Sequence, residues 1–157
     1  MKLALPHDRA AVLLDKNERI VQANDQWSAL CGYTLDEARG ERTTMLHGPA
    51  TNAQKAHAFA DEVRKNGVAK TVLANYTADG EPFVHKIEAR RVHTEQGPYF
   101  LVESEEVTDK ALRRAILKQP LMAFDGSWGN DAADAAAIAS VLSLVMCASW
   151  AAAKTLV

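Results

Sequence analysis

The sequence predicts an α+β fold: a five-stranded antiparallel sheet with helices on one face, followed by a C-terminal helical extension. Three observations predict it. Two short apolar runs near the start, residues 10–14 and 20–21, flank the polar turn Asp15-Lys16-Asn17-Glu18. Three longer runs, 71–77, 82–93 and 99–107, are separated by the turn signals Asp79-Gly80 and Gln96-Gly97-Pro98. Between the two groups lie segments with apolar residues at helical spacing and with capping residues at their starts. The element order is therefore β-β-α-α-α-β-β-β, and strands grouped apart from helices are the pattern of an α+β domain.

Composition narrows the function. The chain has 157 residues, 48% of them hydrophobic, enough for one domain with a true core plus an extension. A net charge of −2 leaves no overall footprint for nucleic acid or an anionic membrane. Cys31 and Cys147 lie far apart, which suggests neither a disulfide framework nor a zinc site and fits a reducing compartment. The N-terminal Met1-Lys2-Leu3-Ala4-Leu5-Pro6 is too short an apolar stretch for a signal peptide, so the expected location is cytoplasmic. No Gly-rich phosphate loop, nucleophile elbow or pair of catalytic carboxylates stands out, so the expectation is a non-enzymatic protein.

The elements follow in order. After the first hairpin, Asn24 can cap a helix by accepting from a free first-turn N–H. Trp27, Leu30 and Cys31 share one face of that helix. Gly32-Tyr33 ends it, and Thr34 caps a short turn containing Glu37. Thr51 and Gln54 have capping-box spacing ahead of a helix whose inward positions are Ala56, Phe59, Ala60 and Val63. Arg64 and Lys65 suit its C-terminus, and Gly67 is the expected left-handed stop. In the strand over 82–93, Lys86, Glu88 and Arg90 alternate with Ile87 and Ala89, so one sheet face carries mixed charge. On the last strand Phe100, Val102 and Ser104 point one way, and Leu101, Glu103 and Glu105 the other. Thr108 is the expected cap of a linker helix over 109–119, with Leu112, Ala115 and Ile116 inward, and Pro120 ends it.

Two stretches carry a family resemblance. Gly40-Glu41-Arg42-Thr43-Thr44-Met45-Leu46-His47-Gly48-Pro49 and Asn75-Tyr76-Thr77-Ala78-Asp79-Gly80-Glu81-Pro82-Phe83 resemble the ligand-pocket walls of a PAS domain. They are similar in particular to the LOV, or flavin blue-light sensor, branch. The resemblance covers about residues 10–109 and is supported by Ala23-Asn24, Trp27, Leu30, Gly32-Tyr33-Thr34 and Glu37. It implies a sensory or protein-interaction module.

The resemblance also assigns pocket positions. Thr43 stands where a LOV domain has the cysteine that attacks the flavin. A hydroxyl is a far weaker nucleophile than a thiolate, so no light-driven sulfur adduct is expected there. Arg42 replaces an asparagine, His47 a glutamine, His85 the second ring-reading asparagine, and Ser104 the glutamine of the last strand; Asn75 alone is kept. Thr44 and Ala60 replace the two phosphate-binding arginines. Arg42, Lys55 and His57 are near enough in sequence to substitute, although Lys55 and His57 equally fit the helix surface. The resemblance thus implies a module without a covalent photocycle and with no assured cofactor. The alternative is a flavin-binding blue-light or redox sensor that holds FMN or FAD non-covalently through Asn75, His85, Ser104, His47, Thr43 and Arg42. Cys31 reads as a small buried hydrophobe. His47, His85 and His93 read as ordinary hydrogen-bonding imidazoles rather than metal or haem ligands.

The linker after residue 120 leads to an expected Ala-rich helix over 131–157. Residues 135–153 are uncharged, nineteen in all, which reaches the lower range of a membrane span, but alanine and serine make the run weakly apolar. A helix for protein contact, with a partner or a second copy through the sheet face and terminal helices, is the favoured reading. A C-terminal membrane anchor is the alternative.

Overall fold

The computed structural model describes residues 3–118. The expected helix over 131–157 and the uncharged run 135–153 lie outside the described residues. β1 (Ala10–Leu14) and β2 (Ile20–Ala23) form the first hairpin. Helices α1 (Asp25–Cys31) and α2 (Leu35–Ala38), a 3-10 turn (Thr43–Leu46) and helix α3 (Ala53–Asn66) follow. β3 (Val68–Tyr76), β4 (Pro82–Thr94), β5 (Gly97–Glu106) and helix α4 (Lys110–Leu117) complete the described chain. The strands make one antiparallel sheet in the order β2-β1-β5-β4-β3.

Capping decides where the helices begin. Asn24 Oδ1 accepts from the Trp27 N–H at 2.9 Å, and Thr34 with Glu37 forms a reciprocal capping box. Two expected caps are corrected. Asn52, not Thr51, caps α3 by accepting from Lys55 N–H at 2.9 Å, because Thr51 is committed to β3. Asp109, not Thr108, caps α4 by accepting from Leu112 N–H at 2.7 Å. Gly67 ends α3 in the left-handed region (φ 80°), as expected.

The main core lies between the inner sheet face and α1–α3. Val12, Leu14, Ile20, Trp27, Cys31, Leu46, Val63, Phe83 and Phe100 are its larger members. Its rows follow from strand pairing: Ala69, Ala89, Val102 and Val12 lie in register across four strands. Arg91 closes the end of this layer. Its guanidinium donates to the Val63 carbonyl at 3.4 Å and to that of Arg64, and lies 6.0 Å from the centre of the Phe100 ring.

The outer sheet face carries the expected mixed charge in its middle, while both of its ends are apolar and covered. At one end Leu3 and Leu5 cover Ala11, Leu13 and Leu101. Three side-chain amides hold this N-terminal strap. Gln22 Nε2 donates to Leu3 O at 2.6 Å, Asn24 Nδ2 to Pro6 O at 2.7 Å, and Gln26 Nε2 to His7 O at 2.7 Å. At the other end Ile116 and Leu117 of α4 cover Ala74, Val84 and Val107. Helix α4 thus lies on the face opposite α1–α3. Leu112 and Ala115 are exposed rather than inward, because the contacts with β3 and β4 come from the last turn of this short helix. Between the two covered ends, Lys70–Glu88 (2.7 Å) and Arg90–Glu103 (3.5 Å) form a charged band.

Candidate functional site

The two stretches singled out in the sequence meet in space. The turn after the 3-10 segment is latched to β3 through Thr51, whose Oγ1 accepts from Gly48 N–H at 3.0 Å and donates to Ala74 O at 2.7 Å. The Tyr76 hydroxyl accepts from Ala50 N–H at 2.9 Å. The Tyr76 ring lies directly on Gly48: a Cβ there would sit 2.3 Å from ring carbon Cδ2. On the other side, Ala78 N–H donates to Cys31 O at 2.9 Å and ties the β3–β4 hairpin to the end of α1.

Behind this latch the inner sheet face carries Asn75, His85 and Ser104, the three buried polar side chains among the described residues. Pairing places them on one diagonal. Asn75 opposes Phe83, His85 opposes Leu73, and Ser104 opposes Ile87, each one inward row further along the sheet. Asn75 Nδ2 lies 2.9 Å from His85 Nε2. An amide nitrogen only donates, so with this face toward the ring Nε2 accepts and the imidazole proton sits on Nδ1. That Nδ1 is buried and has no hydrogen-bond partner. The Phe83 ring, 4.9 Å from the imidazole centre and tilted by 57°, supplies an aromatic wall.

Electrostatics keep the imidazole neutral. Burial first, and then the nearby positive charge of His47, push the His85 pKa down to about 4. His47 itself is half-buried at the end of the 3-10 turn. Arg42 and Thr43 are half-buried at the start of that turn, where the Arg42 backbone bridges to Arg19. Thr44, Lys55 and His57 are exposed, and Ala60 is half-buried on α3. His93 is exposed at the far end of β4. Among the described residues no three His, Cys, Asp or Glu side chains gather as a metal site. Burial raises the Cys31 thiol pKa, so little thiolate forms there.

The arrangement can read the hydrogen-bonding edge of a small molecule through neutral groups. It fits the polar edge of a flavin ring: Asn75, His85 and Ser104 are inward, and one polar atom awaits a partner. It does not offer a phosphate a buried cation, since each buried polar side chain among the described residues is uncharged. Four of the arginines are also committed. Arg64 pairs with Glu18, Arg91 holds α3 carbonyls, Arg39 donates to Val21 O and Arg19 to Gly40 O.

Reading residues singly missed the Asn75–His85 contact and the Tyr76–Gly48 latch. The first was available, because a hairpin turning at Asp79-Gly80 sets Asn75 and His85 on one face, one row apart. The latch had no local signal, since its partners are more than twenty residues apart in the chain.

Comparison with known proteins agrees with this architecture. The Bacterioopsin transcriptional activator of Halobacterium salinarum is 30% identical over 83 residues, 53% of this chain and 12% of that protein. A Blue-light-activated histidine kinase of Brucella anthropi is 30% identical over 78 residues, 50% of this chain and 16% of that one. The chain therefore spans less than a fifth of the length of these two relatives. Among solved structures, a light-oxygen-voltage domain from work on a flavin analogue superposes with a TM-score of 0.60 at 25% identity, covering 71% of this chain and 85% of that one. The PAS domain family model matches residues 8–109, so the chain belongs to the PAS domain family and resembles its LOV members.

Proposed function

We propose that this domain is a non-enzymatic sensory or protein-interaction module of the PAS/LOV type that works without a covalent photocycle. The observation that carries the reading is the replacement at the 3-10 turn. By the resemblance to LOV domains, Thr43 takes the place of their reactive cysteine, and Cys31 is a buried thiol in α1. Signalling in such a module is a shift between two packings of the elements on the sheet, biased by a ligand or a protein partner. Here the strap and α4 both lean on the outer face, so either can be the element that moves. A partner protein or a second copy would meet the charged band between them.

A second reading is a flavin-binding blue-light or redox sensor without a cysteine adduct, holding FMN or FAD non-covalently. The unpartnered His85 Nδ1 beside Asn75 favours it. Asn75, His85 and Ser104 would hold the polar ring edge, with His47, Thr43 and Arg42 at the turn. Bound flavin would supply light absorption and one- or two-electron redox chemistry. The absorption spectrum of the purified protein separates the two. A vibronic band in the blue establishes the second reading, and a colourless protein upholds the first. A light-formed sulfur adduct would overturn both.

A further inference from the structure

We propose that the Asn75–His85–Ser104 cluster takes an uncharged planar heterocycle that presents a hydrogen-bond acceptor to His85 Nδ1, rather than a phosphorylated cofactor. The proposal deepens the ligand-binding reading of this cluster and rests on it. The first support is the orphan itself. His85 is only 4% exposed, and leaving a buried N–H unpaired costs about 1–3 kcal/mol. Among the described residues His85 Nδ1 is the one buried side-chain nitrogen or oxygen without a partner, so a ligand acceptor there would relieve a specific deficit.

The second support is the neutrality of the surroundings. Asn75 and Ser104 carry no charge, and His85 is neutral at physiological pH. Asn75 makes its own contact to Nε2 and leaves the buried Nδ1 as the unpartnered donor. The Phe83 ring beside the imidazole is a surface for a flat π-system. A phosphate dianion brought among these groups would lose its water without gaining a cation. Two nearby guanidinium groups are occupied, Arg64 by Glu18 at 2.5 and 3.0 Å and Arg91 by the carbonyls ending α3, and Arg42 at the start of the 3-10 turn is not among the buried side chains of the cluster. Recognition therefore falls on shape, stacking and one neutral hydrogen bond.

Riboflavin and FMN share one ring system and differ by the phosphate, so they test the claim directly. Titration of the full chain in the dark, followed by quenching of flavin fluorescence, should show riboflavin binding at least as tightly as FMN. His85→Leu should weaken riboflavin at least tenfold. Nitrogen NMR of unsubstituted protein should show His85 protonated on Nδ1, with that resonance shifting on riboflavin addition. The NMR measurement decides even if His85→Leu fails to fold. FMN binding threefold or more tighter than riboflavin would overturn the neutral-ligand claim while leaving a flavin site in place. Absence of quenching by either probe would remove the claim together with the ligand reading beneath it. An unmoved His85 resonance would also reject the claim.

Discussion

Tyr76 occupies the space in which a side chain on Gly48 would begin, and its hydroxyl accepts a hydrogen bond from the backbone N–H of Ala50, two residues on. One aromatic residue on β3 thus fixes the turn that leads into α3. Gly48→Ala should cost about 1–3 kcal/mol, the usual penalty for forcing extra volume into a packed site. Urea denaturation followed by tryptophan fluorescence measures it. A midpoint equal to wild type would mean that the ring swings aside freely and does not anchor the turn.

His85 should make stability depend on pH in a defined window. The unfolded chain takes up this proton near 6.5, the folded chain only near 4. Below 6.5 the unfolded state binds more protons, so stability that is complete above 6.5 drains away down to about 4 and then levels off. The total loss is on the order of 3 kcal/mol. Asn75 and Phe83 contact the ring, and His47 is the ionisable group near enough to act on it. Comparing wild type with His85→Gln at pH 7, 5.5 and 4.5 isolates the effect, because carboxylate contributions are common to both. Parallel profiles would show that the imidazole does not supply this pH dependence.

Glu18 sits in the left-handed region at φ 63° while its carboxylate grips Arg64 of α3. Backbone strain and ion pair therefore oppose one another at one residue. Glu18→Ala keeps the strain and loses the pair, whereas Glu18→Gly loses both. The glycine variant should be more stable than the alanine variant by about 1 kcal/mol. Equal melting midpoints for the two would show that the turn relaxes out of that conformation once the pair is gone.

Arg91 ends α3 from the neighbouring strand, placing positive charge against the carbonyls of its last turn. Arg91→Ala should lose about 1–2 kcal/mol, from charge at a helix C-terminus and a hydrogen bond to a carbonyl. Hydrogen exchange should report the loss first at the amides of Val63–Gly67. Uniform loosening across α3 would point to lost packing on Phe100 instead.

Sequence and structure agree best where the information is local. Asn24 before Trp27, and Thr34 before Glu37, announce their helices because the capping partner lies within three residues. Alternation along β4 placed Lys86, Glu88 and Arg90 on one face for the same reason. Thr51 misled because its hydroxyl could cap α3 or bind β3, and only the fold decides that competition. Leu112 misled because an eight-residue helix meets the sheet through its final turn. At the site, spacing could name Asn75 and His85, but not the 2.9 Å contact or the atom it leaves unpartnered.

The amides of Gln22, Asn24 and Gln26 make residues 3–9 a fastening on the sheet. A version of this protein cut to begin at Ala10 would keep every strand yet bare Leu13 and Leu101 to water. It would turn sticky on the side opposite its polar cluster, and self-association seen in such a fragment would be a product of the scissors.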